Sequence, residues 1–358
     1  MTAAPSESPL SQSPSSQPQF TRHVTSGGAR IYTVSVNAFP HLSANVFLIV
    51  VGNAAAPSYT ALLDTGSHDP GSTQGLARGL EAVREQYAEA WSWDTLSRIV
   101  ISHVHPDHLA GLPFVQTLTD APTAAHALDV VTIQNPEAAR DAAMLRTEAL
   151  LTWAGIGGAG ADVSGIGEDY ATRFRNRARN LMLPRAARID TALHGGELLD
   201  GQFEVIHTPG HAGGQVCLRL HDTLLCADHL LPHNSPPLMP ERAHVGGGLA
   251  NYLVSLSRIE ALEGVTLALG GHDGPMPDWR GRIRQLRERY QGKLQAVLDA
   301  ADQLVTVHDL TLRLYPDINR VQALLLLDQT GALAEYLAAT GQLREQETDG
   351  QASLFQRM

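Results

Sequence analysis

The stretch ISHVHPDHLAG (101–111) carries three histidines and one aspartate within six consecutive positions, His103, His105, Asp107 and His108. Imidazole nitrogens and carboxylate oxygens are ordinary protein ligands of divalent metals. The stretch follows SRIVIS (97–102), an apolar run that reads as a strand. Residues i and i+2 at a strand end point to one side, so His103 and His105 can grip one ion together. Pro106 breaks the strand, and Asp107 and His108 then turn into the next helix, where they can face a second ion. A lone His-x-His would mean little, because histidines are more often exposed or hydrogen-bonded. Four ligand-type residues in six, directly after an apolar strand, is a much stronger pattern.

A metal cluster needs further ligands, and three occur in similar surroundings. His211 lies in VIHTPGHAGG, where a strand gives way to a Pro-Gly turn; Asp228 ends the apolar run LLCADHLL; His272 follows TLALGG. All three sit at carboxyl ends of apparent strands, where α/β folds gather functional loops. Singly each is weak, and as a set with the first cluster they are strong. His207, His229 and His68 are not included: His207 reads as structural or exposed, His229 as a packing residue that could alternatively line a pocket, and His68 stays ambiguous.

These residues need elements to position them. ARIYTVSV (29–36), ANVFLIVV (44–51) and TALLDTG (60–66) read as strands, QGLARGLEAVREQYA as a helix, and SRIVIS as the next strand, a layered α/β arrangement. Residues 134–183 read as an inserted helical pair. Asn135-Pro136 caps the first helix, and a Gly-rich link, GIGGAGADVSGIG, leads to EDYATRFRNRARNLML. That link follows a helix and so reads as a hinge, not a phosphate-binding loop. The arginines of RFRNRARN (173–180) read as a solvated face in preference to a substrate contact. Strands resume in ELLDGQFEVIHTPGH, QVCLRLHDTLLCAD and GVTLALGGH. From 279 the chain reads as three helices, and short runs flanking Asp349-Gly350 read as a hairpin, a winged-helix-like end spanning 279–358. Its presumed recognition segment, NRVQALLLLDQTGALAEYLAATGQL, carries one cation, Arg320, so packing or dimerisation is expected over nucleic-acid binding.

Composition fits a protein with a large core: 358 residues, 43% hydrophobic and 18% charged, with room for one large domain and a smaller one. A net charge of -11 argues against coating nucleic acid, which rests on many Lys and Arg contacts to phosphate. Residues 1–22 are Ser-, Pro- and Gln-rich, have no apolar signal segment and read as a disordered tail. No stretch approaches a membrane span, and Cys217 and Cys226 read as buried free thiols, so a cytoplasmic protein is expected.

The order H-x-H-x-D-H, then a distant histidine, an aspartate and a last histidine, resembles the metallo-β-lactamase superfamily over roughly residues 28–278. The resemblance implies a four-layer αββα sandwich for a catalytic domain at 23–278. It implies a first metal on His103, His105 and His211, a second on Asp107, His108 and His272, and Asp228 bridging the two. Asp64 in LLDTG matches the family's early aspartate, which orients a ligand; a plain turn aspartate is the alternative reading. Asp228 stands where the zinc β-lactamases commonly carry cysteine, and His108 fills a position that many of them give to another residue type. The resemblance therefore runs to glyoxalase II, lactonases and RNase Z-like enzymes. The insert and the C-terminal elements resemble the subgroup of β-lactamase-like protein 2, which includes an endoribonuclease. Ala227-Asp228 replaces the more usual Gly-Asp, and GHDGP the commoner Gly-His-Gly; neither removes a ligand.

Such a site implies a bridging water acidified by two divalent ions, zinc first and iron or manganese next, with Asp107 accepting or relaying its proton. No G-x-S-x-G elbow occurs. Hydrolysis of a small ester, thioester or lactone is the leading expectation, a metal-dependent ribonuclease or phosphodiesterase the second. A regulatory binding protein with a vestigial metal site is the third, and the complete ligand set argues against it. The acidic charge favours a small-molecule substrate over nucleic acid.

Overall fold

The structure, a computed structural model, describes residues 20–156, 185–318, 320–347 and 351–358, the side chains of 320–325 excepted. Seven strands form the first sheet in chain order. They are β1 (Phe20–Val24), β2 (Arg30–Phe39), β3 (Leu42–Asn53), β4 (Ala56–Leu63), β5 (Arg98–Val100), β6 (Thr123–His126) and β7 (Thr191–Leu193). The first four run antiparallel and the last three join in parallel. The second sheet holds β8 (Leu198–Leu199), β9 (Phe203–His207), β10 (Val216–Leu220), β11 (Thr223–Ala227), β12 (Leu267–Gly270) and β13 (Pro275–Met276), in the order β13-β12-β11-β10-β9-β8.

Alternation along the strands explains why the sheets stack. On β3, Val46, Leu48 and Val50 point to the outer face and Phe47 and Ile49 to the inner one. The inner face meets Phe203, Val205, Val216, Leu218 and Leu225 of the second sheet. Helix α1 (Pro70–Tyr87) covers the outside of the first sheet through Leu76, Leu80 and Val83. Short helices α2 (Pro106–Leu109), α3 (Leu112–Val115) and α4 (Ala127–Gln134) and the longer α5 (Pro136–Ala154) follow. The outside of the second sheet, with Cys217, Cys226 and Ala268, packs against α6 (Leu249–Glu260) and α7 (Trp279–Ala300). The layers are helix, sheet, sheet, helix: the αββα sandwich. Cys217 and Cys226 are free and buried.

The chain ends in α7, α8 (Val307–Leu314), α9 (Arg320–Ala339) and the antiparallel pair β14 (Leu343–Gln346) and β15 (Leu354–Arg357). Their core is continuous with the sandwich. Tyr290, Leu333 and Phe355 share one apolar cluster with Trp153, Cys217 and Tyr252. The Asp349-Gly350 turn lies outside the described residues, as do the second inserted helix, the arginine run 173–180 and most of the Gly-rich link. Asn135 caps α5 as its sequence predicts, its side chain accepting from Ala138 N at 3.3 Å. One boundary needs correction. The stretch expected as tail up to residue 22 yields to a strand from Phe20, because Phe20 packs edge-on against Tyr87 and Arg22 stacks over the same ring. Among the described residues no helix is long and apolar enough to cross a membrane.

Candidate metal centre

Strand β5 stops at Val100, so His103 and His105 lie in the loop beyond it, not on a strand end as their spacing predicts. The loop nevertheless brings their ligand atoms together. His105 becomes the N-cap residue of α2, and the His103 and His105 rings meet edge to face at 4.7 Å between centroids. Asp107 and His108 occupy the first turn of α2. Asp64 follows β4, Asp228 follows β11, and His272 lies two residues beyond the end of β12; His211 follows β9 through the Pro209-Gly210 turn. Strand ends from both sheets thus converge on one spot.

The residues meet in two groups. Ligand atoms of His103, His105, His211 and Asp228 lie within 4.8 Å of one another, and so do those of Asp107, His108, Asp228 and His272. Asp228 belongs to both. His103 Nε2, His108 Nε2, His211 Nε2 and Asp228 Oδ1 are buried without a hydrogen-bond partner. Buried polar atoms are nearly always paired, so four orphans in one spot, all metal-ligand types, fit a cation there.

The opposite sides of these side chains are fixed. His211 Nδ1 donates to Pro237 O at 2.8 Å and His272 Nδ1 to Ser43 O at 2.5 Å. His108 Nδ1 donates to Asp64 Oδ2 at 3.0 Å. Asp64 also accepts from Ser102 N at 2.7 Å and Ser102 Oγ at 2.8 Å. With its one proton committed to Asp64, Ser102 Oγ accepts from His103 Nδ1 at 2.9 Å. Each of these rings therefore turns its Nε2 towards the cluster. Asp64 is fully buried and left-handed (φ 64), held by these donors.

Charge is unevenly distributed across the site. Burial, with His108 and His105 nearby, pushes His103 far below the ordinary histidine range, and burial brings His105 to about 3 and lowers His211. These rings are neutral, as ligation requires. Burial opposes charge on His108 too, but Asp228, Asp107 and Asp64 outweigh it and lift it well above the ordinary range. His272 rises to about 10 against its own burial because it bonds Asp107 and Asp228. Despite burial, His108 brings Asp107 to about 2, and His108 and His272 hold Asp228 well below the carboxylate range. Three clustered carboxylates demand positive charge; without a metal, protons on His108 and His272 supply it.

Two residues beside the ligands sit in the left-handed region, Ala227 (φ 42) and Asp273 (φ 61), a conformation that glycine alone adopts without strain. Gly271 between them is required for space: a Cβ there would lie 2.2 Å from Asp228 Oδ1.

Among the histidines set aside, His207 stacks on His126 at 3.9 Å and donates to Gly213 O. His229 is buried against the Tyr252 ring, and His68 is exposed beside Phe39. Sequence reasoning missed Asn45. Its Nδ2 donates to Gly270 O at 3.0 Å and Asp273 O at 2.9 Å, holding the turn that carries His272. The signal was present, an amide in the apolar run ANVFLIVV.

His105, Asp107, His211, Asp228 and His272 line a cavity of about 1310 Å³ whose wall includes Phe39, Leu42, Phe47, Leu238 and Met239, with Asp273 and Asp328.

The fold and this centre define a known class. The chain belongs to the metallo-beta-lactamase superfamily, whose family model matches residues 40–272. A metallo-beta-lactamase family protein from Thermus thermophilus is similar to it at 25% identity and a TM-score of 0.70, over 92% of this chain and 98% of that one. A beta-lactamase domain protein from Burkholderia ambifaria shares the fold at 17% identity and a TM-score of 0.69, over 92% and 91%. No curated protein matches the chain in sequence.

Proposed function

We propose that this chain is a dinuclear metallohydrolase of small esters, thioesters or lactones, resembling glyoxalase II in its chemistry, with zinc as the first candidate metal. One observation carries the reading: two four-residue ligand groups share Asp228 beside a large cavity, with four of their ligand atoms buried and without a hydrogen-bond partner. A pair of divalent ions acidifies water and polarises a scissile carbonyl. The chain's own residues do the rest. His103, His105 and His211 offer neutral nitrogens on one side, and Asp107, His108 and His272 face them across Asp228. Asp107 keeps a carboxylate at the cavity wall, where it can hold a proton released during attack and pass it to the leaving group. The apolar, carboxylate-bearing wall favours an uncharged acyl group over a polyanion.

The test is an assay of metal-loaded protein against acyl-thioesters, lactones, phosphodiesters and single-stranded RNA, with Asp228→Ala alongside. Turnover of an acyl substrate, lost in Asp228→Ala, is expected. Cleavage of RNA alone would replace this reading with the ribonuclease one. Activity equal in the variant would sink the metal-centre assignment.

A further inference from the structure

Arg282 lies on α7, outside the family segment, is only 7% exposed, and touches no metal-ligand residue. Its Nε donates to Leu231 O at 2.7 Å and its Nη2 to Asn234 O at 2.8 Å, while Nη1 reaches Gln285 on its own helix at 3.2 Å. Two further residues on the same helical face grip the same loop. Arg289 Nη1 donates to Ser235 Oγ at 3.2 Å, and Tyr290 Oη donates to Pro236 O at 3.2 Å. Positions 282, 289 and 290 are spaced i, i+7, i+8, which puts them on one stripe of a helix.

The loop they hold joins the two ends of the site. It begins at Asp228, the residue common to both ligand groups, and nine residues on it presents Pro237 O to His211 Nδ1. Pro236 and Pro237 lack amide hydrogens and are stiff in φ, so the pair displays its two carbonyls, one to α7 and one to His211. If the loop relaxes, His211 loses the acceptor that fixes its ring and aims Nε2 at the cluster. A guanidinium suits the task, since its planar fork reaches two carbonyls at once where an ammonium is a point donor.

We infer that Arg282, assisted by Tyr290, is a positioning residue for the metal centre: α7 clamps the 231–237 loop and thereby sets His211 for ligation. The inference gives the C-terminal helices a role at the site, and it rests on the metal-centre reading above.

The test uses metal-free full-length protein titrated with zinc against a chromophoric chelator, with melting of the metal-free form measured beside it. Arg282→Met should weaken zinc binding about tenfold, within the range of roughly 10–100-fold for lost partners of ligands. Arg282→Lys should fall between it and wild type. Tyr290→Phe removes one hydroxyl and leaves the core intact; it should weaken zinc about two- to fivefold, the worth of one hydrogen bond. Arg287→Ala is the control. It removes contacts from α7 to Ser257 and Glu260 of α6 and should leave zinc affinity at the wild-type value. Zinc affinity unchanged in Arg282→Met and Tyr290→Phe, whatever their melting temperatures, overturns the inference. If Arg282→Met does not fold, Tyr290→Phe decides alone. A wild-type chain that takes up no zinc fails earlier, at the metal-centre reading, and this inference falls with it.

Discussion

Asp64 shows what a single side chain does beside a site of this kind. The sequence left it between a turn residue and a ligand-orienting group. The structure has its two oxygens accept from Ser102 N, Ser102 Oγ and His108 Nδ1. Asp64→Asn must aim an amide NH₂ at one of those donors, at a cost of about 1–3 kcal/mol. Zinc affinity, measured by chelator competition, should fall roughly 10–100-fold as His108 loses its orientation; an unchanged affinity would return Asp64 to the status of a turn residue. Asp129 behaves differently. It is buried against Gly214 with one oxygen unpaired, and burial pushes its carboxyl up to about 7. The folded state therefore holds that proton where the unfolded chain, at the ordinary aspartate value near 3.9, releases it. Stability from this group is fully present below about 4, is lost as pH rises, and is gone above about 7. Asp129→Asn keeps the neutral form at all pH values. It should already melt above wild type at pH 5, and the gap should widen by roughly 2–5 °C at pH 8; a gap of equal size at both pH values would contradict the assignment. The ligands themselves were legible because their types are rare in such density. Asp129 was not, because burial of one carboxylate leaves no mark on a sequence.

The elements of the site are strand ends, and what the sequence exposed of them was the apolar runs. SRIVIS, TLLCA and TLALGG are legible as strands because their β-branched and aliphatic residues fill a core on both sides. Shorter pieces escaped. Strand β6 (TAAH) and strand β7 (TAL) have too few residues for a period, and α6 was overlooked among the loops around it. The exact end of β5 was missed as well, because Ser102 hydrogen-bonds Asp64 instead of continuing the ladder. Turns at these strand ends leave no slack. At Gly271 a methyl group would meet Asp228 Oδ1 at 2.2 Å and His108 Cε1 at 2.7 Å, whereas at Gly274 it would meet nothing within 4 Å. Gly271→Ala should therefore abolish stable metal uptake, read as metal content after dialysis, and Gly274→Ala should leave it at the wild-type level. Equal uptake in both would show that the turn yields more easily than its packing implies.

Across the whole molecule, the sandwich and the C-terminal helices share one apolar core, with Trp153, Tyr252, Tyr290 and Phe355 in a single cluster. Arg242 adds a polar clasp, lying over the Trp153 ring and pairing with Glu335 and Glu345. Composition and element order announced a terminal unit of three helices and a hairpin, but not that its core is continuous with the sandwich, because contacts between distant segments are not written in local pattern. A shared core unfolds together, so calorimetry of the metal-free chain should give one transition; two separated transitions would show the terminal part to be an independent unit. The metal centre is the account's central claim. Anomalous diffraction from zinc-soaked crystals, collected at the zinc edge, tests it most directly. Two peaks roughly 3.5–4 Å apart are expected, one within bonding distance of His103, His105 and His211, the other of Asp107, His108 and His272, with Asp228 touching both. No peak between these residues, or zinc bound only elsewhere on the chain, would contradict it.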